Sequence, residues 1–159
     1  MISKPKNGEK IEELLKRGIE NVYPSAAVFK KALESGEKLK VYLGVDPSGD
    51  KLHIGHSVPL FLLKRFQELG HHVILLIGSF TAQLGDPTGK TETRKHKTFS
   101  EVMDNAKTYK KQVAMILNFG GKNPVQLKYN HKWLAKMTLE DVIKLACNFT
   151  VQQMIQRDM

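Results

Sequence analysis

Apolar residues recur along the chain in patterns that separate helices from strands. Ile11, Leu14, Leu15 and Ile19 form the stripe of an amphipathic helix that stops before Pro24. Ser25 is placed to cap a second helix ending at Gly36. Lys40 to Val45 reads as a short strand, Asp46 to Lys51 as a polar turn containing Pro and Gly, and Ile54 to Leu69 as an apolar helix closed by Gly70. A second strand spans His72 to Gly78. Its centre, Val73-Ile74-Leu75-Leu76-Ile77, is apolar at every position, as in a parallel sheet covered on both faces. Strand, helix and strand in this order predict a right-handed βαβ crossover.

A further helix from about Ser100 to Leu117 places Val102, Ala106, Tyr109, Val113 and Ile116 on one broad face. Residues 118–124 read as a loop and Val125 to Tyr129 as a third strand. Thr138 with Asp141 suits the start of a helix running through Leu145. Phe149 to Met159 reads as a helix with no stop signal, so the chain is expected to be part of a longer one. The expected organisation is helices over 1–37, a nucleotide-binding unit over 38–122, and a connecting segment over 123–159, all within one α/β domain of Rossmann-like character.

Ligands of such sheets bind beyond the carboxyl ends of the strands, where the turn at 46–52 and the loop at 79–97 both lie. In that turn His53 and His56 flank Gly55 at a strand-to-helix switch. The free N–H groups and positive dipole end of a helix start favour an anion, and two imidazoles add donors for negative charge on a phosphate. A His-x-x-His pair on a helix is also an ordinary surface or core pair; its position after a Pro-Ser-Gly turn favours a nucleotide site. Gly55, without a Cβ, permits close approach of a base or ribose.

Composition bounds this picture. The chain has 159 residues, 41% of them hydrophobic and 26% charged, enough for one core. It contains no apolar run long enough for a membrane span, and Met-Ile-Ser-Lys-Pro-Lys lacks the apolar centre of a signal peptide, so a cytoplasmic location is expected. The single Cys147, among Ile143, Leu145 and Ala146, is expected to be a small core residue. The net charge of +9 suits a polyanionic partner such as RNA, although many lysines lie on solvated helix faces. Histidines 71, 72 and 131 read as structural, and no set of metal ligands stands at useful spacing.

His53-Ile54-Gly55-His56 matches the HIGH motif of class I aminoacyl-tRNA synthetases. Together with Gly44-Val45-Asp46-Pro47-Ser48, Gly85-Asp86-Pro87-Thr88-Gly89-Lys90 and Glu92-Thr93-Arg94, the chain resembles the bacterial tyrosyl-tRNA synthetases over nearly its whole length. The Gly85–Gly89 spacing is one residue short of a P-loop, which needs four residues between its glycines.

The resemblance implies a tyrosine–tRNA ligase that activates L-tyrosine with ATP and Mg2+ and transfers it to tRNA(Tyr), with no metal held by the protein alone. It implies that His53 and Ser48 meet the leaving phosphates and His56 the ribose, with Gly44, Asp46 and Gly55 also in the ATP site. Lys90 and Arg94 correspond to mobile-loop cations that clamp pyrophosphate, and Asp86 to the carboxylate that holds the substrate amine. Asp86 also suits the first position of a type I turn. Asp46 is expected beside the substrate and Thr81 in the tyrosine pocket. Tyr42 stands where some relatives hold the substrate phenol, but strand alternation equally allows the core or a partner subunit. Leu43 replaces a polar residue of some relatives, and Ser48 the usual threonine.

Relatives form homodimers through a region whose beginning corresponds to 123–159, with Trp133, Leu134, Phe149, Val151 and Met154 as apolar contacts. The Tyr, Gln and Asp group that reads tyrosine in similar enzymes, and their second phosphate loop, have no counterpart in these residues. The fragment alone is therefore expected to be inactive. Alternatives are a tryptophanyl or other HIGH-containing synthetase, a nucleotidyltransferase, and a non-catalytic RNA-binding module.

Overall fold

The computed structural model describes residues 7–84 and 96–156. In chain order the elements are α1 (Asn7–Lys16), α2 (Ala26–Glu34), β1 (Lys40–Val45), α3 (Ile54–Glu68), β2 (His72–Ile77), α4 (Thr81–Leu84), α5 (Phe99–Val113), β3 (Gln126–Tyr129), α6 (His131–Leu134), α7 (Leu139–Ala146) and α8 (Val151–Gln156). The three strands form a parallel sheet in the order β1-β2-β3, with Val41 opposite Val73 and Leu75 opposite Leu127.

Helix ends follow from local chemistry. Ser25 Oγ accepts the Val28 N–H at the start of α2. Gly70, at φ 90°, ends α3 in a Schellman turn: its N–H bonds the Gln67 carbonyl while the His71 N–H reaches Phe66. Thr98 and Glu101 form a reciprocal capping box on α5, as do Thr138 and Asp141 on α7. The bonds from Thr98 hold the Glu101 carboxyl below its ordinary pKa, and Thr138 does the same for Asp141. The long helix stops at Val113 rather than Leu117, and residues 114–116 turn instead, with the Ile116 N–H bonding the Val113 carbonyl. Two one-turn helices, α4 and α6, arise where the sequence pattern predicts none.

Both crossovers, β1-α3-β2 and β2-α5-β3, step in the same direction across the sheet. Right-handed connections then place α3 and α5 on one face and leave the other uncovered by any described helix. Burial agrees: Val73, Leu75 and Ile77 pack with Leu60, Leu63 and Phe66 of α3 and with Ala106 and Val113 of α5. Ile11, Leu14 and Leu33 extend this core into α1 and α2. The opposite face carries exposed Tyr42, Gly44, Gln126 and Lys128 around half-buried Ile74 and Leu76. The expectation that β2 is buried on both faces is met on one face only.

Cys147 corrects another expectation, since it is exposed. It caps the end of α7, whose Leu139, Val142, Ile143 and Leu145 are also exposed, so no described element supplies a core around it.

Candidate functional site

The turn after β1 delivers His53 in an extended conformation (φ −100°, ψ 170°) as the N-cap of α3. The two histidines do not simply share a helical face. His53 lies just outside the helix, where its Nδ1 accepts the Gly55 N–H at 3.1 Å, and His56 Nδ1 accepts the His53 N–H at 3.2 Å. Their ring centroids are 3.9 Å apart. Both Nδ1 atoms act as acceptors of backbone protons, so each neutral ring carries its own proton on Nε2. The cap thus fixes the tautomer and leaves two Nε2–H donors without a backbone partner among the described residues, beside the positive end of a fifteen-residue helix.

Gly55 has a reason internal to the chain. A Cβ there would lie 3.0 Å from Cε1 and Nδ1 of His53, so the glycine makes room for the folded-over imidazole. Gly44 differs, since a Cβ would meet nothing within 4 Å.

Tyr42, Gly44 and Asp46 follow one another on the bare face of β1, where Tyr42 is 70% exposed and belongs to no described core. The Asp46 carboxylate closes over Gly78: a Cβ at that glycine would stand 1.6 Å from Oδ1. Thr81 Oγ1 donates to Asp46 Oδ1 at 2.7 Å, and Asn130 Nδ2 donates to Thr81 Oγ1 at 3.1 Å. The Asn130 side-chain oxygen accepts the Phe80 N–H at 2.7 Å. Ser79 Oγ and His131 Nδ1 are 2.6 Å apart in the same region. The carboxyl ends of all three strands are thereby tied into one polar network that fixes the orientation of Asp46.

Sequence reasoning missed Gly78, Ser79 and Asn130. The available signal was positional, since each strand ends in a short polar residue or glycine at the same sheet edge: Asp46 after β1, Gly78-Ser79 after β2, Asn130 after β3. Ser48 is exposed in the turn, and its carbonyl accepts from Lys97 Nζ. Asp86, Lys90 and Arg94 lie outside the described residues. Among the described residues no group of three or more His, Cys, Asp or Glu side chains is arranged to hold a metal ion. Two clefts lie away from this site, one of about 540 Å³ along Arg17, Phe61 and Arg65 and another of about 680 Å³ along Gln67, Leu117 and Phe119.

Residues 34–159 match the family described as tRNA synthetases class I (W and Y). The chain belongs to this family. Within it, the histidine pair at the start of α3 is the HIGH motif on the fold expected of a class I synthetase. The chain is 48% identical over 151 residues to a tyrosine–tRNA ligase of Carboxydothermus hydrogenoformans, covering 92% of this chain and 36% of that one. It is 44% identical over 148 residues to the tyrosine–tRNA ligase of Moorella thermoacetica, covering 91% and 35%. A solved C-terminally truncated mitochondrial tyrosyl-tRNA synthetase of Aspergillus nidulans superposes with a TM-score of 0.76 at 26% identity, over 94% of this chain and 45% of that one. The chain therefore spans little more than a third of the curated ligases it matches. No described helix is long and apolar enough to cross a membrane.

Proposed function

We propose that this chain is the nucleotide-binding part of a tyrosine–tRNA ligase, an enzyme that forms tyrosyl-adenylate from L-tyrosine and ATP and transfers the tyrosyl group to tRNA(Tyr). The observation that carries the reading is the pair of tautomer-fixed Nε2–H donors at the start of α3, on the same sheet edge as the networked Asp46. Activation joins a carboxylate oxygen to the α-phosphorus of ATP and releases pyrophosphate. It needs aligned reactants and donors for growing phosphate charge rather than a covalent enzyme intermediate. His53 and Ser48 face the leaving phosphates, and His56 the ribose, while Gly44 keeps the backbone open there and Gly55 leaves room for the His53 ring. Asp46 and Thr81 border the tyrosine, with Tyr42 on the same line of β1. Asp86 holds the substrate amine, and Lys90 and Arg94 clamp pyrophosphate. Mg2+ arrives with ATP as part of the substrate.

Exposed Trp133, Phe149, Val151 and Met154, with half-buried Leu134 beside them, support pairing of two copies in the active enzyme. The cytoplasm, where tRNA is charged, is its place. The 159 residues alone are expected to be inactive, because the Tyr, Gln and Asp group and the second phosphate loop of similar enzymes have no counterpart in them. Tyrosine-dependent ATP–pyrophosphate exchange by the full gene product tests the reading. Exchange supported by tyrosine, and lowered about 10²-fold or more by His53→Ala, is the expected result; exchange driven by another amino acid, or none, refutes it.

A further inference from the structure

The turn that carries Ser48 and leads into His53 lacks regular backbone pairing: the described backbone bond within it is Ser48 N–H to the Asp46 carbonyl at 2.7 Å. Three further backbone groups of the turn, the Pro47 and Asp50 carbonyls and the Leu52 N–H, are met by side chains of α5, 58–62 residues later in the chain. Asn105 Nδ2 donates to the Pro47 carbonyl at 3.1 Å. Thr108 Oγ1 lies 2.6 Å from the Asp50 carbonyl and 2.7 Å from that of Asn105, two acceptors for one hydroxyl proton. Gln112 makes the most complete contact. Its Nε2 donates to the Asp50 carbonyl at 2.9 Å while its Oε1 accepts the Leu52 N–H at 2.9 Å. One side-chain amide thus takes the place of a neighbouring strand for the two residues around Lys51.

The spacing 105, 108 and 112 sets the three side chains along one flank of a helix, next to the face that buries Val102, Ala106, Tyr109 and Val113 in the core. Anchored there, the flank is a rigid rail for an otherwise unpaired turn. Leu52 immediately precedes His53, so the Gln112 amide sets where the first Nε2–H donor stands. We propose that Gln112, assisted by Asn105 and Thr108, is a positioning residue for the phosphate-binding turn, acting on ATP through the backbone of residues 47–52 without touching substrate. This inference rests on the tyrosine-activating reading. Its physical basis is the steep dependence of such reactions on placement, in which a displacement of about 1 Å lowers rate roughly 10²-fold.

The test uses the full gene product with Gln112→Met, which keeps length and loses both bonds, and Asn105→Ala as a second, milder variant. Each is measured for ATP–pyrophosphate exchange and for amide hydrogen exchange at Leu52. The expected result for Gln112→Met is an exchange kcat lowered about tenfold or more, a tyrosine KM within about twofold, and lost protection of the Leu52 amide while β2 amides keep theirs. Asn105→Ala is expected to lower kcat by a smaller factor with the same unchanged tyrosine KM, and it carries the test if Gln112→Met does not fold. Unchanged kcat in both variants overturns the proposal. A loss that falls equally on tyrosine KM and on protection throughout the sheet also overturns it, because that is the mark of a packing residue. If the unmutated protein shows no tyrosine-dependent exchange, the functional reading fails separately. The rail is then decided by the Leu52 amide, whose selective loss of protection in Gln112→Met supports it and whose retained protection refutes it.

Discussion

Replacing Gly55 by alanine separates what the fold needs from what the site needs. The new Cβ stands 3.0 Å from Cε1 and Nδ1 of His53, inside ordinary van der Waals contact, so the ring has to retreat by a few tenths of an ångström. Retreat lengthens the 3.1 Å bond from the Gly55 N–H to His53 Nδ1, which is the cap of α3. Loss of an N-cap bond costs about 0.5–2 kcal/mol. Alanine in place of glycine within a helix returns about 0.8–1.0 kcal/mol, less at the second helical position. The two effects nearly cancel, leaving a net change within about 1 kcal/mol. For a domain of this size that is a shift in Tm of roughly 2–4 °C.

Activity has no such compensation. The same retreat moves the Nε2–H of His53 from its place, and losing one oriented donor to transition-state charge costs about 10²–10³-fold in kcat. Thermal unfolding together with ATP–pyrophosphate exchange on the full gene product therefore yields an enzyme of nearly normal Tm and greatly lowered kcat. Exchange within threefold of the parent would falsify the donor assignment. A fall in Tm beyond about 10 °C would show instead that Gly55 serves packing.

Three further outcomes are expected. Gly78→Ala forces Asp46 off its bond to Thr81 Oγ1, because its Cβ would occupy the position of the carboxylate; it should lower stability by about 1–3 kcal/mol and weaken tyrosine-dependent exchange. Gly44→Ala, with open space around its Cβ, should leave Tm unchanged in the parallel melt, and a comparable loss of stability there undermines the steric account. Burial, reinforced by His72, pushes the His71 imidazole below its ordinary pKa, and its Nδ1 accepts the Leu39 N–H at 3.3 Å. The unfolded chain then binds the proton more readily than the folded one. Stability is fully present above the ordinary imidazole pKa near 6.5 and falls as pH drops from there through the lowered folded value. Urea melts of the parent and His71→Gln between neutral and mildly acid pH should converge on acidification, and parallel curves would count against the assignment.

Much of this architecture was legible in the sequence because it rests on local rules. Apolar spacing placed α3 and α5, Gly70 marked the end of α3, and Thr138 with Asp141 announced the cap of α7. The HIGH motif was legible as a pair of histidines at a helix start, but not as a cap in which one ring lies over a glycine and both tautomers are set. That arrangement depends on three-dimensional closure of the turn. The Asp46–Thr81–Asn130 network was illegible for the same reason, since its members are separated by 35 and 49 residues and meet only when the strands align. The exposure of Cys147 is not legible in the sequence, because apolar neighbours along the chain suggest a core, whereas α7 turns its apolar residues outward.

The strand order has one more consequence. Both crossovers wind in one sense, away from β1, and among the described residues one edge of β1 has no strand beside it. A right-handed connection that covers the bare face has to wind in the reverse sense, and the strand it brings pairs with that edge. With such a strand added, the two winding directions would diverge at β1 and open a crevice just beyond its carboxyl end. Asp46 and the His53 turn stand at that end of β1, so the candidate site lies where the sheet can be extended, before any of its residues contributes chemistry.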